Sequence, residues 1–260
     1  MLSYQHIYHA GNLADVQKHA LLAWMLDYLT RKDKPISYIE THAGRALYDL
    51  SSAEARKTGE AASGIDIARG WFAPDHPYTR VLSAVQKDQG PSSYPGSPRI
   101  AVDLLRPMDS VHLAELHPQE AQALRTAMRG TGAKVHVQDG FEMAQSLAPP
   151  EPRRGLLLID PSYEIKSDYA RLPGIITKLH RKWNVGVIAL WYPILKDGAH
   201  RQMLRALEAQ TFPGALRHEV TFPPARDGHR MIGSGLFVVN APFGLADEAA
   251  FLDRKFAALG

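Results

Sequence analysis

The chain has 260 residues, no cysteine and a formal net charge of +3, set by 30 Lys and Arg against 27 Asp and Glu. Thiol chemistry and Cys-ligated zinc are thereby excluded, and a chain of this length buries roughly 75% of its unfolded surface without needing a disulfide or metal. The mild positive excess permits a polyanionic partner without demanding one.

The opening segment, "MLSYQHIYHAGN", has no basic run followed by an apolar one, so no signal peptide is expected. Residues 13–31 repeat Leu22, Met25, Leu26 and Leu29 at the spacing of an amphipathic helix. Asn12 is placed to cap it and Asp15 sits favourably in its first turn. "ISYIET" follows as a strand, then helices at 52–70 and 77–89 and a loop, "GPSSYPGSP".

From residue 98 the pattern alternates. A helix at 98–106, the strand "VHLAEL", a helix at 118–129 and the strand "AKVHVQ" come first. After a short helix come "GLLLID", a helix at 168–182, "VGVIALWYP" and a helix at 198–210. "LRHEVTF" and "SGLFVVNAP" close the series as an antiparallel pair. The longest apolar stretch, residues 185–195, is too short to span a bilayer, so no membrane association and a cytoplasmic location are expected. Alternating strands and helices imply an α/β, Rossmann-like, mostly parallel seven-stranded sheet with helices on both faces, forming one domain over 1–260.

In such sheets ligands sit beyond the carboxyl ends of the strands, where strand order reverses. The first strand ends "ETHAGRALY", where Gly44 allows a tight turn and close backbone approach. About fifty residues then intervene before "GSPRIAVDLLR", so 47–96 reads as an inserted helical subdomain, with Ser97 as N-cap and Pro98 at the first helical position. The next strands end at Glu115, suited to ribose hydroxyls, at Asp139 with Gly140, suited to an adenine ring, and at Asp160. A nicotinamide-dependent oxidoreductase is disfavoured because the first turn lacks the glycine spacing a pyrophosphate requires. His6 and His9 have a loose metal-ligand spacing but no third ligand, so no metal is expected.

"DPSY", residues 160–163, resembles the Asp-Pro-Pro-Tyr motif of amino-group methyltransferases that use S-adenosylmethionine. With "YQHIYHAGNLADVQKH", "THAG", "YPGSP", "ELHP", "DGF" and "LIDPSYEIKSDY", the chain resembles the RlmJ family throughout its length. That resemblance implies methyl transfer to the N6 nitrogen of one adenine in 23S ribosomal RNA, with S-adenosyl-L-homocysteine as product. It places the cofactor against Lys18, His19, His42, Gly44, Ser97, Glu115, Asp139, Gly140 and Asp160. Asp160, Pro161 and Tyr163 become the catalytic set, and Tyr4, His6, Tyr163 and Lys166 face the RNA. Without it, Lys18 reads as a solvated helix residue and His19 as a packing residue.

Two positions depart from the family pattern. Ser162 replaces the second proline, and Ala46 stands where a second glycine is more frequent and fits only with negative backbone angles. Arg226, His229 and Arg230, in "PPARDGHRMIGSG", are candidate phosphate contacts or an ordinary polar hairpin. The alternatives kept open are an amino-group methyltransferase acting on DNA or protein glutamine, and an RNA-binding relative of weak activity. A monomer is expected.

Overall fold

The computed structural model describes residues 4–224 and 228–259. After a single 3-10 turn at His6–Tyr8, the elements run α1 Leu13–Thr30, β1 Ser37–Glu40, β2 Leu47–Asp49, α2 Ala53–Thr58, α3 Glu60–Ser63, α4 Ile65–Ala68, α5 Pro77–Gln89 and β3 Ser93–Pro95. There follow α6 Ser97–Leu104, β4 Ser110–Ala114, α7 Pro118–Ala127, β5 Lys134–His136, α8 Gly140–Leu147, β6 Gly155–Ile159 and α9 Asp168–Lys182. The chain ends with β7 Val187–Leu195, α10 His200–Glu208, β8 Leu216–Thr221, β9 Met231–Val239 and α11 Leu245–Ala257. Helix α11 and the short β2–β3 pair are absent from the sequence reading.

Seven strands form one sheet in the order β5-β4-β1-β6-β7-β9-β8. The five strands from β5 to β7 are parallel, and β9 pairs antiparallel with both β7 and β8. From β1 the chain steps outward through β4 to β5, then returns to β6 and proceeds the other way. The reversal therefore lies at β1, between β4 and β6, which is where a ligand crevice belongs.

Period-two alternation assigns the two faces of the sheet. Tyr38, Leu113, Leu156, Leu158 and Ala189 pack into one core with α1, α5, α6 and α11. Ile39, Ala114, Leu157, Ile159 and Leu190 face the other core, with α8, α9 and α10. Strand β6 is buried along its whole length, which explains an apolar run with no polar side.

Helix α1 departs from the amphipathic expectation. Residues from Leu13 to Ala23 are all buried, polar Asp15, Gln17, Lys18 and His19 among them. The sheet and α11 cover one side, while α4, α5 and the tyrosines Tyr78 and Tyr94 cover the other. Most of its buried polar groups are accordingly paired. Ser234 Oγ donates to Gln17 Oε1, and Gln17 Nε2 donates to His218 Nδ1 at 3.0 Å. His218 Nε2 lies 3.0 Å from Asp253 Oδ1, so α1, β8, β9 and α11 share one hydrogen-bonded chain.

The helix expected over 52–70 is broken into α2, α3 and α4. Gly59 adopts φ 66°, and a side chain at Gly64 would lie 2.1 Å from the Gly11 carbonyl oxygen. The breaks let the segment wrap onto the N-terminal turn. Glu60 there receives His9 Nδ1 at 2.9 Å and Asn12 Nδ2 at 3.0 Å, and Ile65 N donates to Gly11 O at 2.7 Å.

Close approach also governs β1 and β6, because a Cβ on Gly155 would sit 1.9 Å from the Ser37 carbonyl oxygen. Gly155→Ala must push these central strands apart, and a loss of at least about 2 kcal/mol in unfolding free energy is expected. Urea titration of the two proteins measures it; a midpoint unchanged from wild type contradicts this packing.

Candidate active site

A cavity of about 340 Å³ opens at the carboxyl edge of the sheet. Thr41 to Gly44 line it after β1, Glu115 to His117 after β4, Asp139 to Phe141 after β5 and Asp160 to Tyr163 after β6. Trp191, Pro193 and Leu195 of β7, Gly96 and Ser97 at the head of α6, and Tyr4, His6, His9, Asp15, Lys18 and His19 from the N-terminal segment complete the wall. Every expected site residue is brought to this cavity except Lys166, an exposed residue outside the lining between Ile165 and Asp168, which do line it. His229 also lines it, Arg230 is turned outward to Asp197 at 2.5 Å, and Arg226 lies outside the described residues.

Lys18 is not a solvated helix residue. It is 4% exposed, and its Nζ donates to Asp160 Oδ2 at 2.7 Å and lies 3.1 Å from Asp15 Oδ1. Burial works against its charge, but the two carboxylates more than reverse that and hold its pKa above the ordinary lysine range. Asp15 in turn receives Gly11 N at 2.9 Å and His6 Nε2 at 2.8 Å, and His6 Nδ1 meets the Tyr4 hydroxyl at 2.8 Å. A continuous polar chain therefore runs from Tyr4 at the mouth to Asp160 at the floor.

His19 lies against the cavity with Nδ1 2.8 Å from the Tyr94 hydroxyl, while its buried Nε2 has no hydrogen-bond partner among the described residues. Burial lowers its pKa to about 3. His42 is likewise lowered to about 4 by burial, with Nδ1 held by Thr41 Oγ1 at 2.7 Å.

The strand-end acids are arranged differently from one another. Glu115 accepts the backbone N–H groups of Gly44 at 2.8 Å and His117 at 2.7 Å, one on each oxygen, and burial raises its pKa against their pull. Asp139 caps α8 through Oδ1, which accepts Phe141 N and Glu142 N at 2.8 and 3.0 Å; Oδ2 takes no hydrogen bond from any described residue. Gly140 is required by a cause the sequence did not reveal. A Cβ there would lie 1.8 Å from the Thr41 carbonyl oxygen, so the missing side chain serves backbone packing rather than ligand approach.

Two local expectations are corrected. Ser97 is the first helical residue rather than the N-cap, and its hydroxyl donates to the buried Glu40 instead of accepting an N–H of its own helix. Ala46 adopts φ 68° rather than a negative angle, with its methyl fully buried against Tyr48 and its neighbours. The Tyr163 ring is 8% exposed: its hydroxyl donates to Trp191 O at 2.7 Å and it packs 4.6 Å from Tyr169. Tyr163 also has φ 56°, a strained setting for an aromatic residue, of the kind stored at functional sites. Ser162 is exposed and adds no rigid contact there. The Tyr163 hydroxyl, not a second proline ring, ties the turn to β7.

Two buried acids were missed. In the sequence, Asp15 reads only as an acid in the first helical turn. Glu40 closes β1 as Asp160 closes β6, so the same signal was present. It is fully buried, and accepts hydroxyls from Tyr38 at 2.8 Å and from Ser97. Burial pushes its pKa to about 8 against the pull of both hydroxyls.

Folding therefore leaves Glu40 holding a proton, between pH 4.5 and about 8, that the unfolded chain has lost. Its contribution to stability is complete below pH 4.5 and falls as pH rises towards 8. His19 has the opposite slope, complete above 6.5 and lost as pH falls towards 3. Between pH 6.5 and 8 the Glu40 slope is thus expected unopposed by His19, and Glu40→Gln should flatten it. Denaturant titrations at several pH values measure this, and equal slopes in both proteins contradict it.

A family model described as "Ribosomal RNA large subunit methyltransferase D, RlmJ" matches residues 33–256. The chain is 40% identical over 254 residues to Ribosomal RNA large subunit methyltransferase J of Escherichia coli, covering 95% of this chain and 90% of that one. It is 38% identical over 255 residues to the protein of the same name from Haemophilus influenzae, with the same coverage. Among solved structures, protein LPL1258 of Legionella pneumophila superposes with a TM-score of 0.86 at 34% identity, over 96% of this chain and 94% of that one. With the reversal of strand order, the acids at the strand ends and these matches together, the chain belongs to the RlmJ family of ribosomal RNA large subunit methyltransferases.

Proposed function

We propose that the protein transfers a methyl group from S-adenosylmethionine to the N6 amino group of an adenine in 23S ribosomal RNA, and that it does so in the cytoplasm. The observation that carries this is the end of β6: Asp160 and Pro161 close a buried strand on the floor of the cavity, with one carboxylate oxygen still available.

The lining suits the cofactor. Glu115 presents a carboxylate already oriented by two backbone N–H groups, as a ribose requires, and Asp139 keeps Oδ2 for an adenine amino group. His19 Nε2 and His117 Nδ1 are buried lining atoms that want partners. When bound, S-adenosylmethionine supplies a methyl group already activated on a sulfonium.

The chain's own work is positioning and proton removal. An adenine amino nitrogen is a poor nucleophile because its lone pair is delocalised into the ring. Asp160 Oδ2 takes the Lys18 ammonium, which fixes the carboxylate and leaves Oδ1 to accept one amino proton. The Pro161 carbonyl takes no hydrogen bond from any described residue and can accept the other. Two acceptors so placed favour a pyramidal nitrogen with its lone pair free, and the same carboxylate takes the proton released on methylation. Orientation of this kind contributes roughly 7–11 kcal/mol. Tyr163, locked between Trp191 and Tyr169, offers a rigid aromatic surface on which base stacking contributes on the order of 1–3 kcal/mol. The adenine must be unpaired or turned out of its stack to reach this floor.

The test is transfer of labelled methyl to protein-free 23S RNA, to DNA and to protein, with the modified nucleotide mapped. Label in RNA as N6-methyladenine is expected; label confined to DNA or protein contradicts the substrate. Asp160→Asn keeps an acceptor but not the base, and turnover should fall by about 10²–10⁴-fold. Retention of wild-type turnover removes Asp160 from proton transfer.

A further inference from the structure

The proposed reaction makes no use of Asp15, yet this residue is 1% exposed and binds three groups of the N-terminal segment and α1. One Lys18 ammonium stands between two carboxylates, Asp15 at 3.1 Å and Asp160 at 2.7 Å, and all three residues line the same cavity. We propose that Asp15 is a positioning residue whose negative charge offsets the Lys18 ammonium, so that the floor of the cavity favours a sulfonium cation over a neutral thioether. The inference rests on the methyl-transfer function proposed above and says how the site distinguishes its cofactor from the spent product.

The charges can be followed residue by residue. Lys18 keeps its proton, because two carboxylates outweigh its burial. Asp15 keeps its negative charge: burial pushes its pKa up, but the hydrogen bond from His6 and the Lys18 ammonium more than reverse this and hold it well below the ordinary range. His19 is neutral, lowered by burial to about 3. His6 Nε2 lies 2.8 Å from Asp15 Oδ2 and its Nδ1 2.8 Å from the Tyr4 hydroxyl, which fixes the ring against Asp15. Asp15, Lys18 and Asp160 together thus carry one negative charge in excess, suited to a bound sulfonium. Remove the charge of Asp15 and Lys18 cancels Asp160 alone, leaving an ammonium opposed to the sulfonium with nothing behind it. Trp191, 5.5 Å from Nζ to its ring centre, stabilises the ammonium but brings no net charge.

A purely structural Asp15 makes a different prediction. Its bonds to Gly11 N and His6 orient the N-terminal segment, so their loss should weaken S-adenosylmethionine and S-adenosylhomocysteine alike. The two ligands differ by a methyl group and one positive charge, which makes their affinity ratio the decisive quantity.

Calorimetric titration of both ligands into wild type, Asp15→Asn and the double variant Asp15→Asn/Lys18→Gln reads that ratio without any turnover. Asp15→Asn should lower the preference for S-adenosylmethionine by about tenfold, and the double variant, which restores one negative charge in excess, should return it to within about threefold of wild type. Equal weakening of both ligands, an unchanged ratio in Asp15→Asn, or no recovery in the double variant overturns the inference. Should Asp15→Asn not fold, Lys18→Gln alone should raise the preference, and a ratio unchanged there overturns it as well. A wild-type protein that binds neither ligand is a separate outcome, which contradicts the proposed function itself.

Discussion

Lys18 carries an ammonium group into the interior, where desolvation alone costs several kcal/mol, and much of the site is arranged to meet it. Helix α1 has to be buried on every side to bring that residue to the end of β6. Asp160 and Asp15 hold the charge from two directions, and Asp15 is itself fixed by Gly11 N and His6. A buried charge pair is weak evidence for stability, since apolar residues often pack as well. Its value lies in geometry: with Oδ2 committed to Lys18, the carboxylate of Asp160 has one oxygen left and one orientation in which to offer it.

The same constraint accounts for residues 47–96. A buried helix needs cover on the side away from the sheet, and residues 47–96 supply it through α4, α5 and the Tyr78–Tyr94 hydroxyl pair. That segment leaves and rejoins the sheet at the cavity wall, through Gly44 and Ala46 at one end and Ser97 at the other. Both turn residues adopt positive φ, which for an alanine costs on the order of 1 kcal/mol. The strain is tolerated because the methyl is buried and the neighbouring backbone is paired, Gly96 N donating to Ala46 O at 2.8 Å. Tyr163 repeats the pattern across the cavity, a strained aromatic pinned by its hydroxyl to β7.

What the sequence disclosed follows from what is local. Strands such as "GLLLID" and "VGVIALWYP" declare themselves by apolar runs between turn residues, and their terminal acids stand out for the same reason, so the sheet and the rim of the site were legible. Contacts across long separations were not. Lys18 on an apolar helix looks the same whether its outer side meets water or another helix, and only the 142-residue contact with Asp160 decides it. Ser97 carries a standard capping signal, overridden by a glutamate 57 residues away. The break at Gly64 depends on the Gly11 carbonyl, which no window over 52–70 contains. Even Gly140, which lines the cavity, serves a neighbour in β1's loop through its missing side chain.

The claim on which the account depends is that the available oxygen of Asp160 and the Pro161 carbonyl together grip one amino group. A crystal structure of the protein with S-adenosylhomocysteine and an adenine nucleoside tests it most directly. The nucleoside's N6 is predicted between those two oxygens, with Lys18 still on Oδ2 and the cofactor product against Glu115 and Asp139. An adenine bound elsewhere on the rim, or a carboxylate that swings wholly to Lys18 and leaves N6 without a partner, contradicts it.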